Sequence, residues 1–162
     1  MPYQLRPARE EDIDGIDALE KACFSDPWPK GELLSAVRQA TAPEGANRAA
    51  AFFTAAESGG RIVGYCAADR ALDEGQILSL AVLPEFRRAG IGRALLRHTL
   101  ALLDVPSVWL EVRVSNAAAR SLYRAEGFEE LARRPGYYRH PAEDAAVMRY
   151  EAPTGRERTG SL

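Results

Sequence analysis

The chain has few of the residues that build metal sites and disulfide frameworks. Its 162 residues include two cysteines and two histidines. His98 and His140 have no Cys or His at ligand spacing, so the sequence predicts no metal site. Cys23 and Cys66 could pair on count alone, but both lie in apolar surroundings, which favours two buried free thiols. No histidine stands near either cysteine in sequence, so we expect neither to be catalytic.

The sequence also has little net charge and no long apolar run. Lys and Arg total 21 against 23 Asp and Glu, for a formal net charge of -2. This excludes the strongly basic surface typical of bulk nucleic-acid binding. No apolar run approaches the length of a membrane span, and residues 1–9 become charged without the apolar region of a signal peptide. We therefore expect a cytoplasmic protein with no membrane partner and no direct nucleic-acid partner.

The chain does have enough apolar material for one core. Its 162 residues are 46% hydrophobic, which fits a single domain of ordinary size. We assign residues 1–152 to that domain. Residues 153–162 are polar and lack apolar periodicity, so they predict a flexible C-terminal tail.

Apolar periodicity predicts the element order β, α, α, β, β, β, α, β, α, β, β. This mixture of helices with a strand meander indicates an α+β fold rather than a doubly wound sheet. Prolines at 27 and 29 separate the first two helices, and a loop is predicted at 41–47. The predicted strands are 3–7, 50–57, 61–68, 76–82, 108–114, 128–133 and 145–150. The predicted helices are 13–23, 32–39, 90–103 and 116–126, the last one stopped by Gly127.

The most informative motif is a glycine- and arginine-rich turn that follows a predicted strand and opens a helix. A helix start offers unpaired backbone N–H groups and a positive dipole end. Glycines would let a diphosphate approach that backbone, and arginines add matching charge. The alternative is a flexible turn with a solvated basic face; neither a Walker loop nor a dinucleotide fingerprint is present. The turn comprises Arg87, Arg88, Ala89, Gly90, Ile91, Gly92 and Arg93.

These residues resemble the signature of the GNAT acetyltransferase superfamily, Arg/Gln-x-x-Gly-x-Gly/Ala, at Arg87, Gly90 and Gly92. A second block narrows the resemblance to the RimI group of ribosomal-protein N-terminal alanine acetyltransferases. The similarity extends over residues 5–150. The second block comprises residues 110–119, Leu122-Tyr123 and Gly127-Phe128, and Pro27-Trp28 and Tyr137-Tyr138 are also similar.

The resemblance implies a GNAT acyl-CoA N-acyltransferase fold, with a mixed, mostly antiparallel seven-stranded sheet flanked by about four helices. It implies acetyl-CoA as cosubstrate, no metal, and direct attack of a protein N-terminal α-amine on the thioester. A small-subunit ribosomal protein is the expected acceptor, and a monomer or weak dimer the expected state. Two alternatives stay open: acetylation of a lysine or small amine, and a non-catalytic acetyl-CoA-binding module.

The resemblance also implies a role for individual residues. Glu111 matches the general base and Tyr123 the general acid, which also lies at the cofactor. Asn116 matches a residue that contacts acetyl-CoA, and the turn at 87–93 matches the pyrophosphate site. The strand residues whose backbone would pair with the pantetheine arm are Leu80, Ala81 and Val82.

Each of these residues also has a plain structural interpretation. Glu111 could pair with Arg113 or another cation on its strand, and Tyr123 could simply pack a helix on the sheet. Asn116 is a good helix N-cap, which is compatible with contacting a cofactor.

The walls of the acceptor groove are less well defined by the sequence. Trp28, Tyr137 and Tyr138 are candidates to line it, although simple packing explains them equally well. The proline-rich segment at 26–29 and the loop around Glu44 and Gly45 leave the shape of the groove open.

Overall fold

The computed structural model describes residues 2–42 and 50–153, and in this part of the chain seven strands form one sheet in the order β1-β2-β3-β4-β5-β7-β6. All neighbouring strands are antiparallel except β4 and β5, which are parallel. The predicted mixed, mostly antiparallel sheet is therefore confirmed. The strands are β1 Gln4–Pro7, β2 Ala50–Ser58, β3 Arg61–Ala71, β4 Glu74–Val82, β5 Ser107–Arg113, β6 Phe128–Arg139 and β7 Ala142–Glu151.

Helices cover both faces of this sheet. Their bounds are α1 Ile13–Cys23, α2 Lys30–Thr41, α3 Ile91–Leu103 and α4 Ala117–Ala125, with 3-10 turns at Glu10–Asp12 and Pro84–Phe86. A Cβ placed on Gly64 of β3 would lie 3.2 Å from Leu95 Cδ1 of α3. Because strand side chains alternate, the next residue, Tyr65, points to the opposite face, where its hydroxyl meets Glu20 of α1. Thus α1 and α3 lie on opposite sides of the sheet.

The two parallel strands separate after a short contact. Their pairing covers only Glu74–Gln76 of β4 and Ser107–Trp109 of β5. In β4, Ile77 and Ser79 stand opposite adjacent residues of β3, so Leu78 is the extra residue of a β-bulge. A bulge bends the strand that contains it. Beyond this point β4 and β5 continue without pairing, and a gap opens between them.

Several element boundaries differ from those predicted, among them the end of β3 at Ala71, the end of α2 at Thr41 and the start of β7 at Ala142; the largest difference is in β6. Strand β6 continues to Arg139 rather than residue 133, because it passes Pro135-Gly136 at a register shift and then pairs with β7 again. Proline is tolerated there because β6 is an edge strand. Tyr137 and Tyr138 consequently lie within a strand. Helix α2 begins at Lys30, directly after Pro29, and not at residue 32.

Some predictions concern residues outside the described part of the chain. These are the loop from residue 43 onward, with Glu44 and Gly45, and the tail beyond Pro153. Within residues 2–42 and 50–153, no helix is long and apolar enough to cross a membrane.

Candidate active site

The gap between β4 and β5 opens into a cavity of about 470 Å³, a volume typical of small-ligand sites. Five elements or segments contribute to it: α1 with the segment after it, β4, β5, α4 and β6. The lining residues are Glu20, Phe24, Ser25, Asp26, Pro27, Trp28, Pro29, Gln76, Ile77, Leu78, Ser79, Leu80, Leu110, Glu111, Val112, Arg113, Asn116, Ala119, Tyr123, Tyr137 and Tyr138.

Seven of the residues predicted to act on ligands meet in this cavity. Glu111, Tyr123 and Asn116 line it together with Leu80. The three candidate groove residues, Trp28, Tyr137 and Tyr138, line it as well. Ala81, Val82 and the turn at 87–93 do not line the cavity; they follow Leu80 along β4 and into the start of α3.

Glu111 faces this cavity, and among the described residues it has no ion-pair partner. The Tyr137 hydroxyl donates to Glu111 Oε2 over 3.4 Å. Arg113, the expected partner in the structural interpretation, pairs instead with Glu143 at 3.2 Å and lies 4.3 Å above the Tyr138 ring. The ion pairs of the described residues include none to Glu111. The Glu111–Arg113 ion pair considered from the sequence is therefore wrong.

The two tyrosines of β6 are protonated donors beside this carboxylate. Their rings meet edge to face, with centroids 5.0 Å apart. Burial raises the pKa of Tyr138 to about 12. Burial and the negative charge of Glu111 both raise the pKa of Tyr137. Both phenols consequently carry their protons at neutral pH and can donate to a ligand or to Glu111.

Tyr123 projects from α4 into the same cavity. Its side chain is buried and packs on Phe128, with ring centroids 5.6 Å apart. The prediction that Tyr123 packs its helix on the sheet is therefore confirmed. Burial raises the pKa of its hydroxyl above the ordinary value, and the phenol therefore stays protonated. The hydrogen bonds found across residues 2–42 and 50–153 include none to this hydroxyl, although it lies at a ligand-sized space.

Asn116 caps the helix that carries Tyr123. Its side-chain Oδ1 accepts a hydrogen bond from the Ala119 N–H at 3.1 Å, as the N-cap prediction requires. Ser115, one residue earlier, donates its backbone N–H to Glu143 Oε2 at 2.6 Å. These bonds fix the corner between β5 and α4, and thereby the relative positions of Glu111 and Tyr123.

The edge of β4 offers backbone groups to the gap at alternate residues. Leu83 N–H donates to Val63 O at 2.8 Å. In an antiparallel pair, the backbone groups of every second residue point to the same side. Ala81 thus directs its N–H and C=O toward β3, whereas Leu80 and Val82 direct theirs toward the gap. Of the three residues predicted to pair with a pantetheine arm, Leu80 and Val82 therefore present backbone groups to the gap, and the Val82 carbonyl accepts a hydrogen bond from Arg87 Nε at 3.0 Å.

The turn after β4 has the features of an anion site. Gly90, the N-cap of α3, has a φ of +83° and makes no side-chain cap, so no side chain occupies the N–H groups of the first turn. A Cβ on Gly90 would meet no atom within 4 Å, so the approach to these amides is open. Arg88 lies beside them with a φ of +66°, a left-handed conformation that costs about 1–2 kcal/mol. Helix dipole and free amides together suit a phosphate.

One residue of the cavity was missed from the sequence. Glu20 of α1 is 1% exposed, although it is a carboxylate. It accepts hydrogen bonds from the Trp28 N–H at 3.0 Å and from the Tyr65 hydroxyl. Burial raises the pKa of this carboxyl. The sequence signal that could have predicted this burial was the position of Glu20, four residues after Ile16 and seven after Ile13, on the apolar stripe of the helix.

Both cysteines are free thiols, as expected. Cys66 is buried, whereas Cys23 is only partly buried, with Sγ 3.4 Å from the Val82 carbonyl and 3.6 Å from Arg87 Nη2. Cys23 therefore lies at the edge of the gap rather than in the core. In the described part of the chain, no three His, Cys, Asp or Glu side chains are grouped as a metal would need.

Known proteins are similar to this chain in sequence and in fold. The model of the acetyltransferase (GNAT) family matches residues 13–128. N-alpha-acetyltransferase RimI of Mycobacterium tuberculosis is 35% identical over 157 residues, which are 93% of this chain and 94% of the relative. The crystal structure of the ribosomal-protein-S18-alanine N-acetyltransferase from Escherichia coli has a TM-score of 0.80 at 28% identity, over 95% of this chain and 96% of that one.

A second solved structure contains a coenzyme. The PaiA N-acetyltransferase of Thermoplasma acidophilum, in complex with coenzyme A, has a TM-score of 0.73 over 94% of this chain and 100% of that one. At 16% identity this likeness shows the fold alone.

Proposed function

Since the chain belongs to the acetyltransferase (GNAT) family, it is an N-acetyltransferase, and we propose that its acceptor is the N-terminal α-amine of a protein. The M. tuberculosis relative is an N-alpha-acetyltransferase. The E. coli relative is a ribosomal-protein-S18-alanine N-acetyltransferase. By this similarity we propose the N-terminal alanine of that ribosomal protein as the acceptor. Acetyl-CoA is the proposed donor.

One observation carries the proposal: Glu111 and Tyr123 line the same cavity, at the place where β4 and β5 separate. A carboxylate can take a proton from an attacking amine, and a protonated phenol can donate to a departing sulfur. The cavity also joins the open edge of β4, where the coenzyme would lie. An acceptor and a donor can therefore meet between the two side chains.

The residues present fit acetyl-CoA. The backbone groups of Leu80 and Val82 that point to the gap suit the amides of a pantetheine arm. The first-turn amides of α3, next to Gly90 and Arg88, suit its diphosphate. When bound, the coenzyme supplies an acetyl group already activated as a thioester. We propose these contacts, together with Asn116, as the coenzyme site.

The chain's own residues then handle two protons. An α-amine, with a pKa near 8, is neutral in roughly one molecule in ten at pH 7, against about one in a few thousand for lysine. We propose that Glu111 accepts the amine proton, directly or through water, as the N–C bond forms and the C–S bond breaks. Because the Tyr123 phenol stays protonated, it can donate its proton to the leaving sulfur, so that coenzyme A departs as a thiol.

We also propose that residues 1–152 act as one domain. A single hydrophobic core contains residues of helices α1–α4 and of the strands on both sides of the gap, which supports this proposal. Separation of the two sides of the active site into independently folding parts would disturb that core.

The test uses one peptide that contains both kinds of amine. A hexapeptide beginning with a free alanine and carrying one internal lysine is incubated with the protein and acetyl-CoA. Tandem mass spectrometry then locates the acetyl group. We expect it on the α-amine, and we expect no product from the same peptide with a blocked N-terminus. Acetylation of the lysine alone would overturn the α-amine assignment, and binding of acetyl-CoA without any product would overturn the enzymatic role.

A further inference from the structure

Three side chains from three different elements form a hydrogen-bonded chain that ends at the cavity. Glu20 of α1 accepts from the hydroxyl of Tyr65 on β3, and Tyr65 Oη lies 2.8 Å from Ser79 Oγ on β4. Glu20 and Tyr65 are 1% and 0% exposed, whereas Ser79 is partly exposed; Glu20 and Ser79 both line the cavity. Ser79 follows the bulge residue Leu78, which re-aims the strand at this point.

The number of protons fixes the direction of this chain. An ionised Glu20 only accepts, and it receives the Trp28 N–H on Oε2 and the Tyr65 O–H on Oε1. Tyr65 has one hydroxyl proton, which this bond uses. The Ser79 Oγ proton is therefore directed to Tyr65 Oη at 2.8 Å or to Glu20 Oε1 at 3.5 Å. Ser79 has then used its own proton, and its oxygen presents only lone pairs to the cavity.

In the described part of the chain, the Glu20 carboxyl has no cation paired with it. Buried carboxylates are ordinarily paired with a positive group. The ion pairs formed within residues 2–42 and 50–153 include none to Glu20, and the nearby Lys21 pairs with Asp17 at 3.0 Å. Neutral donors hold Glu20 in place while burial raises its pKa, so a cation bound at the cavity would favour the ionised form of this carboxyl. A positively charged ligand group is the one that this arrangement favours.

We propose that Ser79 Oγ accepts a hydrogen bond from the α-ammonium group of the acceptor, and that Glu20 strengthens it through Tyr65 and through its own contact with Ser79. This inference rests on the proposed function and assigns the amine-recognition subsite within it. Glu20 and Tyr65 are positioning residues, whereas Ser79 touches the acceptor. The chain holds the amine as its charged form, and Glu111 afterwards removes the proton.

The test compares two peptides that differ only at the terminal amine. One hexapeptide begins with alanine, and the other begins with a propionyl group, which keeps the carbon skeleton and lacks the amine. Their affinities are measured by calorimetry in the presence of coenzyme A, which cannot acetylate them. A hydrogen bond to a charged group corresponds to a factor of about ten or more in affinity. Ser79→Ala should therefore reduce the preference for the amino peptide about tenfold and leave coenzyme A affinity unchanged.

Two further variants complete the experiment. Glu20→Gln keeps the shape of the side chain and removes the charge, so we expect it to reduce the same preference. Ser107→Ala, a serine substitution at the start of β5 outside the cavity lining, should leave the preference at the wild-type value.

The outcomes separate the two proposals. An equal loss of affinity for both peptides in Ser79→Ala would show that the hydroxyl only shapes the groove through the Trp28 segment, and the inference would be wrong. An unchanged preference would also overturn it. A wild-type protein that neither binds nor acetylates the alanine peptide would instead overturn the proposed α-amine function.

Discussion

The two halves of the gap between β4 and β5 are built from different chemical groups. The proposed coenzyme half consists of backbone: the open edge of β4 and the uncapped first turn of α3. The acceptor half consists of side chains, among them Glu111, Tyr137 and Glu20. A backbone site needs glycine and a helix start, which are neighbours in sequence. A side-chain site is assembled from elements far apart in sequence, and its chemistry can change by single substitutions.

The largest expected effect is in the acceptor half. Glu111→Gln removes the proposed base while keeping the size of the side chain. General bases contribute about 10²–10⁴-fold, so we expect kcat for an alanine peptide to fall by at least about a hundredfold. Calorimetry should show an acetyl-CoA affinity within about twofold of the wild type, because the coenzyme half is unchanged.

The next largest effect is expected in the coenzyme half, on the affinity for acetyl-CoA. Gly90→Trp places an indole over the amides at the start of α3, and we expect acetyl-CoA affinity to fall by more than about tenfold, the equivalent of losing one charge-assisted contact. The matched control is Gly60→Trp in the β2–β3 hairpin, since Gly60 has a similar φ of +78° and equally open surroundings. The control carries the same backbone strain but should bind acetyl-CoA with the affinity of the wild type. Equal binding by both variants would remove the diphosphate assignment.

A smaller effect is expected where the two halves meet. Tyr123→Phe deletes one hydroxyl and keeps the packing on Phe128. We expect kcat to fall by about tenfold, since one hydrogen bond to a developing charge is lost, with KM for the peptide little changed. Stopped-flow detection of thiol release measures this. A variant as fast as the wild type would leave Tyr123 with its packing role alone.

The smallest effect on function is expected at Asp12, the other buried carboxylate near α1. Arg6 contacts Asp12 at 2.7 Å, and this guanidinium lowers the pKa of the carboxyl. Asp12 thus contributes stability above the ordinary carboxyl pKa, and that contribution is lost as pH falls through the lowered value. Asp12→Asn should cost about 1–3 kcal/mol of unfolding free energy at pH 7.

Denaturant unfolding at several pH values measures this cost. The difference between Asp12→Asn and the wild type should shrink below pH of about 4, where the unfolded carboxyl is protonated. The preference of the protein for the amino peptide should not change, in contrast to Glu20→Gln. A large change in that preference would mean that the two carboxylates do not have separate roles.

The sequence predicted the parts of this molecule that depend on local pattern. The order of elements was right, and α3 could be predicted because Gly90 and a row of leucines are close in sequence. The end of β6 was missed because Pro135 and Gly136 normally stop a strand, and only the renewed pairing with β7 carries it through. Glu20 was missed for a similar reason: its partners Tyr65 and Ser79 come from other strands, and no local pattern identifies them.

The pH dependence of Glu111→Gln tests the central claim most directly. The claim is that Glu111 takes the proton from a bound α-amine. As pH rises through the amine pKa near 8, more of the acceptor arrives neutral and the base is needed less. The ratio of wild-type to variant kcat/KM for the alanine peptide, measured from pH 6 to 9, should therefore be largest at low pH and fall steadily. A ratio near one, or one that stays constant across this range, would contradict the assignment of Glu111 as the base.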